Sequence, residues 1–421
     1  MTVLIAGAGI GGLALGLTLH QIGVSFRIYE AVRELKPLGV GINLQPNAVR
    51  ELFDLGLEQQ LKAIGVATKT LGFYSKRGRE IWTEPRGRAA GYNWPQFSVH
   101  RGKLQMMLAA TLVERVGPDC MQTGKRATGF SQTESDIALK FDDGSSATGS
   151  CLIGADGLHS AVRKQIVPSE GPPLWAGAIL WRGVTQMSPF LSGADMILAG
   201  HDTQRVVAYP ISAPDPATGL ADVNWIAERR VNPSTGWKRE DWNRIANIED
   251  FLPLFKDWQF DWLNVPEMIT AAEQVFEYPM VDRDPLPNWT AGRVTLMGDA
   301  AHPTYPVGSN GATQAIIDAR VLGAKVAALG QTTAALRAYD DEVRPKTEKI
   351  VLANRGSGPD AILQRVEDLC GGTFDTIEDV LPRTELAEHA SHYKSIAGFG
   401  IEALNNSPPI LPAEFYKKGK Q

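Results

Sequence analysis

The chain has 421 residues, 43% of them hydrophobic and 21% charged, with a formal net charge of −5. This length exceeds a single compact core and implies two or three lobes of ordinary globular composition. The mild acidity excludes a basic field for nucleic acid or anionic lipid.

Three widely spaced cysteines, Cys120, Cys151 and Cys370, neither staple a fold nor make a metal-ligand pattern. The apolar run over residues 3–19 has no basic flank and is broken by five glycines, so it is not read as a signal peptide or a membrane span. The expectation is a cytoplasmic protein without metal, membrane or nucleic-acid partners.

The opening "TVLIAGAGIGGLALGLTLHQIGVSFRIYE" predicts a buried strand over residues 3–6, an apolar helix over 11–20 and a second strand over 25–29. Between the first two lies Gly7-x-Gly9-x-x-Gly12. Gly7 permits the tight turn, Gly9 lets a backbone approach a pyrophosphate, and Gly12 allows close helix packing. Amides at the helix start then face the phosphates. A bare strand-to-helix turn would use the same glycines, but Glu30, roughly 20 residues on, is placed to accept adenosine ribose hydroxyls. An acid there suits FAD or NAD rather than NADP. The next segment, "LGVGINLQPNAVREL", reads as a loop with a proline-led helix start near Pro46.

Residues 151–163, "CLIGADGLHSAVR", read as a buried strand, an Asp156-Gly157 turn and a helix opened near Ser160; alone this is an ordinary turn. Over residues 174–279, β-like runs such as "GAILWRGVT" and "RVVAYPIS" predict a mixed or antiparallel sheet. Six of the ten tryptophans lie from Trp175 to Trp258, and they could wall a pocket for a planar ring or fill an ordinary core. Arg182 is a candidate receiver of a carboxylate, with a surface ion pair as the other reading. Tyr209 and Tyr305, each before a proline, are candidates to hydrogen-bond a ring substituent or to cap the pocket. Residues 298–319, "GDAAHPTYPVGSNGATQAIIDA", form a second glycine turn that opens a helix. A polar helix follows over residues 331–351, with Pro345 kinking or dividing it.

With these three motifs in this order, the chain resembles the single-component flavoprotein aromatic hydroxylases, the para-hydroxybenzoate and salicylate hydroxylase superfamily. Phrases such as "LGVGINLQPNAV", "HRGKLQMML", "LWRGVT" and "YPMVDRDPLP" look like its phenazine-carboxylate monooxygenase branch, from about residue 1 to residue 355. The resemblance implies an α/β fold: a Rossmann-like FAD-binding domain (residues 1–173 and 280–355), an inserted mixed or antiparallel β-sheet substrate domain (174–279) and a C-terminal helical extension (356–421).

It also implies one noncovalent FAD for the two glycine turns, the first holding the AMP half and the second the ribityl and flavin half. Asp299 would bond the ribityl hydroxyls or the pyrophosphate region. The amides of residues 308–312, with Gly308, Asn310 and Gly311, would lie near the flavin pyrimidine edge, where a helix start stabilises negative charge. Arg101 matches an arginine that contacts FAD phosphate, a surface arginine being the other reading. Asp156 matches an acid implicated in FAD and nicotinamide binding. Arg163 would support that turn or lie exposed, and His302 would pack and hydrogen-bond rather than act as a base.

The implied partners are a small aromatic substrate, O2, and NADH or NADPH as a transient hydride donor, with the protein a monomer or homodimer. In the implied cycle NAD(P)H reduces FAD, the reduced flavin captures oxygen as a C4a-hydroperoxide, and oxygen passes to an aromatic or N-heteroaromatic ring, carboxylated or phenolic, with or without decarboxylation. Two departures stand out: Ser309 and Asn310 interrupt the glycine pattern, and the tail beyond Gly356 matches poorly. The rival readings are a same-fold reductase or halogenase, although the halogenase W-x-W-x-I-P motif is absent, and a flavin-binding sensor without turnover.

Overall fold

Val3–Ala6 is the central strand of a five-stranded parallel sheet, in the order Val294–Leu296, Cys151–Gly154, Val3–Ala6, Phe26–Tyr29, Met121–Gln122. The computed structural model describes residues 2–235, 244–356, 360–388 and 400–417. Register is set by Val3 opposite both Cys151 and Phe26, and by Leu152 opposite Val294. Val3–Ala6, Cys151–Gly154 and Val294–Leu296 are buried along their whole length, as parallel strands covered on both faces must be. That is why they read as unbroken apolar runs.

The helix Ile10–Gln21 is buried continuously from Ile10 to Leu19, so it has no polar stripe. Helix Gly311–Leu329 packs along it. Fully buried Arg320 ties the two to a third helix, Pro46–Asp54, by donating to Gln21 (2.7 Å) and Glu51 (3.1 Å) and pairing with Asp54. The proline-led helix start at Pro46 is present, but the residues before it, Gly41–Leu44, form a strand rather than a loop.

The second large sheet has seven strands in the order Val275–Asp282, Leu174–Met187, Ala221–Arg230, Gln204–Pro210, Asp195–His201, Thr70–Tyr74, Glu80–Pro85. All pairs are antiparallel except Asp195–His201 with Thr70–Tyr74. The sheet therefore reaches outside residues 174–279 and recruits two strands from the first lobe. Its two faces follow the period of two along each strand. Ile197, Val206, Ala208, Trp225 and Trp181 point to an apolar layer with Phe251, Phe255 and Trp258, in which Trp181 stacks on Phe251 at 4.5 Å. Their neighbours Leu180, Leu198, Val207, Tyr209 and Ile226 point the other way, into a cavity. Trp181 and Trp225 thus belong to the core behind the sheet, and none of the described tryptophans walls the pocket; Trp237 and Trp242 lie outside the described residues.

Helix Thr333–Arg355 runs unbroken through Pro345. Beyond it, helix Ala361–Cys370 packs Ile362, Leu363 and Val366 against Leu71, Phe73 and Ile81, covering the edge of the seven-stranded sheet. The last described segment returns to the parallel-sheet half, where the Lys417 amide donates to the Gln21 carbonyl (2.7 Å). No helix among the described residues is long and apolar enough to cross a membrane, and no cluster of His, Cys, Asp or Glu among them could hold a metal ion.

Candidate active site

Three turns leave adjacent parallel strands at the same edge of the five-stranded sheet: residues 7–12, 155–157 and 297–299. Such an edge, outside the carboxyl ends of the strands, is where open α/β sheets bind ligands. The glycines divide into two kinds. Gly7 has φ +105°, and a Cβ on it would lie 2.3 Å from the Ala155 carbonyl oxygen; one on Gly12 would lie 2.1 Å from that of Gly7. These two are required by the packing of turn on turn. A Cβ on Gly9, Gly157 or Gly311 would meet nothing within 4 Å. Those three border open space.

Glu30 turns back to the first turn, accepting the Ala8 amide (2.7 Å) and the Val32 amide (2.9 Å). Gln105 braces the same turn by donating to the Ala8 carbonyl (2.8 Å). Asp156 is engaged locally: its carboxylate accepts the Ser160 hydroxyl (2.5 Å) and the Ala161 and Val162 amides (2.8 and 3.3 Å), capping helix Ala161–Ile166. Burial pushes its pKa up, against those hydrogen bonds.

Arg163 is 1% exposed. It donates to the carbonyls of Ala300 and Ala301 (3.0 and 2.7 Å) and makes a two-pronged pair with Glu170 (2.6 and 2.8 Å). It therefore ties the second motif to the third and is not a surface residue.

Asp299 is exposed and borders the cavity. His302 is buried, with Nε2 2.6 Å from Asp318, which also accepts the Gly298 amide (2.8 Å). Burial opposes charge on His302, but Asp318 outweighs it by charge and hydrogen bond, and Asp299 adds to the effect, so its pKa is raised above 6.5. A raised folded-state pKa stabilises the fold fully below the unfolded value, and that stabilisation is lost as pH rises through the folded value. The melting temperature is expected to fall on the alkaline side, and His302→Asn is expected to flatten that fall. A melting series from pH 6 to 9 checks it.

The loop beyond is held in an uncommon conformation. Gly308 has φ +66° and Ser309 φ +60°, a left-handed pair in which the serine is strained by about 1 kcal/mol. Gln45 holds the loop, its Nε2 donating to the Gly308 carbonyl (3.2 Å) and its amide to Thr313 Oγ1 (3.1 Å). Buried Asn310 precedes helix Gly311–Leu329, whose first amides face the cavity with the positive end of the helix dipole.

From these turns a cavity of about 380 Å³ runs to the inner face of the seven-stranded sheet. Arg101 borders its outer part and Arg182 and Tyr209 its inner part. Arg182 donates to the Gly41 carbonyl (3.0 Å), lies 5.9 Å from the Tyr278 ring centre, and has a buried Nε without a hydrogen-bond partner. It forms no ion pair among the described residues, so the surface-pair reading does not hold. Burial presses its pKa down while the Tyr209 and Tyr278 hydroxyls oppose that. Burial pushes Tyr209 up to about 12, against the Arg182 charge and hydrogen bonds with Asn43 and Arg182. Tyr209 is therefore neutral at any working pH.

Tyr305 does not border the cavity, although Thr304 and Pro306 do. It packs with Ala178, Leu180, Ile226 and Met280. Residues unnoticed in the sequence complete the chamber: Asn43, which accepts the Ser98 hydroxyl (2.7 Å) and the Gln96 amide (3.2 Å), and the buried Arg205, Glu228 and Asp360. Asn43 and Gln45, alternating in "GINLQPN", carried the period of a strand lining a site.

With that geometry in hand, residues 1–235 and 271–354 match the family described as FAD binding domain. The chain is 45% identical over 402 residues to the phenazine 1,6-dicarboxylic acid hydroxylase of Lysobacter antibioticus, covering 94% of this chain and 96% of that protein. It is 30% identical over 395 residues to the 3-amino-4-hydroxybenzoate 2-monooxygenase of Streptomyces platensis, covering 90% and 94%. A solved Klebsiella pneumoniae protein in complex with FAD and uric acid superposes with a TM-score of 0.75 at 25% identity, over 97% of both chains.

Proposed function

This chain belongs to the FAD-binding-domain family of flavin-dependent aromatic hydroxylases, and from that membership we propose that it hydroxylates a carboxylated, nitrogen-containing ring system anchored at Arg182. It is an FAD-dependent monooxygenase. The residues present suit the cofactor: Gly9, Gly157 and Gly311 each leave room where a side chain would stand.

In the proposed site the amides after Gly9 and the side chain of Arg101 hold the diphosphate, Glu30 the adenosine ribose, Asp299 the ribityl chain, and the amides of Gly308, Asn310 and Gly311 the flavin edge. Asp156 acts at one remove, by capping the helix that carries Arg163. When bound, FAD supplies hydride acceptance from NAD(P)H and activation of O2 for insertion of one oxygen atom, the other leaving as water. The protein's own part is to place the ring and exclude water. Arg182 fixes a carboxylate, Tyr209 and Asn43 orient it as neutral hydrogen-bonding groups, and Leu180, Leu198, Val207 and Ile226 form an apolar floor. Tyr209 is a positioning group and not a base, and Tyr305 supports the floor from outside the cavity. The two strands at residues 70–85 are grouped with the substrate lobe.

The observation that carries this reading is a cavity-lining guanidinium without an acid partner among the described residues, at the inner end of a cavity whose outer end is built from glycine turns. Two glycine substitutions separate fold from cofactor. Gly9→Val is expected to leave the melting transition in place and abolish retained flavin absorbance, whereas Gly12→Ala is expected to destabilise the fold by about 1–3 kcal/mol through overpacking. The functional test is flavin absorbance from 300 to 500 nm, then NADH and NADPH consumption with a panel of ring acids including phenazine-1-carboxylic acid and phenazine-1,6-dicarboxylic acid. Faster consumption with an oxygenated product supports the reading. Stimulation by uncharged rings alone overturns the Arg182 anchor.

A further inference from the structure

Arg182 and Arg205 stand on the same face of the seven-stranded sheet, at opposite ends of the cavity floor. Strand pairing sets Arg182 opposite Ile226, Ile226 opposite Val207, and Val207 opposite Leu198, so an apolar row leads away from the Arg182 guanidinium. Arg205 lies two strands across and two residues along, which places the two backbones roughly 12 Å apart at ordinary strand spacing and rise. That is a distance a flat multi-ring molecule can bridge.

The two cations differ in what surrounds them. Arg182 has no carboxylate partner among the described residues, and its Nε is buried and unpaired. Arg205 is held on two nitrogens by the two oxygens of Glu228 (2.8 and 3.0 Å), and its Nη1 is in contact with Asp360. All three border the cavity and are less than 9% exposed. Arg230 also lies 3.5 Å from Glu228, so that end of the chamber has two cations and two carboxylates, and each of its cations already has a carboxylate partner. Arg86, a further cation of the chamber, is matched by Glu84 at 2.6 Å.

Asp360 is unusual for its position. It stands at the N-cap of helix Ala361–Cys370, where an aspartate ordinarily caps its own helix, yet its side chain makes no cap hydrogen bond. It reaches instead to the remaining edge of the Arg205 guanidinium, the edge a ligand carboxylate would otherwise take.

We propose that Asp360 is a specificity-determining residue: it restricts the cavity to rings bearing a single carboxylate, held at Arg182, with a hydrogen-bond donor turned toward Glu228 and Asp360. This rests on the reading of Arg182 as a carboxylate anchor. A second carboxylate at the far end would find the Arg205 guanidinium already occupied by Glu228 and Asp360 and would be buried without a partner of its own, which disfavours a diacid.

The test is the ratio of kcat/KM for phenazine-1-carboxylic acid to that for phenazine-1,6-dicarboxylic acid. Both values come from the same preparation, so a loss of folded protein cancels. The wild-type enzyme is expected to favour the monoacid by about 50-fold or more. Asp360→Asn and Asp360→Ala are expected to shrink that ratio about tenfold or more, and Asp360→Glu to retain it. A wild-type enzyme that uses the diacid as well as the monoacid overturns the inference, as does an unchanged ratio in Asp360→Asn. Arg182→Met separates the two levels. If it weakens both acids while no preference exists, only the role of Asp360 fails. If neither acid accelerates NAD(P)H consumption or perturbs the flavin spectrum, the anchor itself fails and the inference falls with it.

Discussion

Arg182→Met is expected to raise KM for a carboxylated substrate roughly 30- to 150-fold while kcat changes by no more than about threefold. The size follows from losing a charge-assisted hydrogen bond in a closed site, about 2–3 kcal/mol. The split follows because holding a carboxylate remote from the reacting carbon contributes equally to ground and transition states. Methionine approximates the volume of the arginine stem, so the floor beside Leu180 and Ile226 stays filled. Arg182→Lys is expected to recover only part of the loss, since an ammonium cannot reproduce the two-pronged fork. An uncarboxylated analogue of the same ring supplies the control: its KM should barely move. Equal losses for both ligands would mean that Arg182 shapes the chamber without holding the acid.

The second large effect is expected at Arg163. Arg163→Met removes one partner from a buried ion pair, leaves Glu170 to Arg283 alone (3.0 Å), and orphans the Ala300 and Ala301 carbonyls. Breaking such a pair costs about 3–5 kcal/mol. Because the turn it releases also carries Asp299, retained flavin should fall in step with the melting temperature. Unfolding followed by circular dichroism, alongside flavin absorbance of the purified variant, checks both. A stable variant that keeps its flavin would show that the second and third motifs hold their positions independently.

Much of the fold was legible because its signals are local. The glycine turns, the buried strands and the proline-led helix at Pro46 each occupy a few consecutive residues, and each is imposed by steric or hydrogen-bonding rules that act over that range. Arg182 and Tyr209 could be nominated from position and residue type, and Arg101 from the resemblance to the flavoprotein hydroxylases. Tyr305 was misjudged because only its neighbours Thr304 and Pro306 border the cavity, and side-chain direction in a loop has no period to betray it.

The residues of the far end left no trace at all. Arg205 and Glu228 meet through strand pairing across 23 positions, and Asp360 joins them from a segment whose sequence resembles nothing informative. The strands at residues 70–85 were missed for a related reason. Parallel pairing with Asp195–His201 needs no hairpin, so no turn marks the connection. The tryptophans misled in the opposite sense: their number is conspicuous, but period-two alternation sends the sheet's own Trp181 and Trp225 to the core behind it.

The order of the parallel sheet bears on how the protein is made. Val294–Leu296, which forms the edge of that sheet beside Cys151–Gly154, is separated from it by more than a hundred residues that build the other lobe. During synthesis the strand at residues 151–154 therefore emerges long before its partner and presents an unsatisfied edge. With the cofactor contacts proposed above, FAD cannot be held complete until the ribosome has delivered residues 298–311. A stalled or truncated chain ending in the middle lobe is expected to remain flavin-free and prone to association, so the holoenzyme assembles only after nearly three quarters of the polypeptide has been translated.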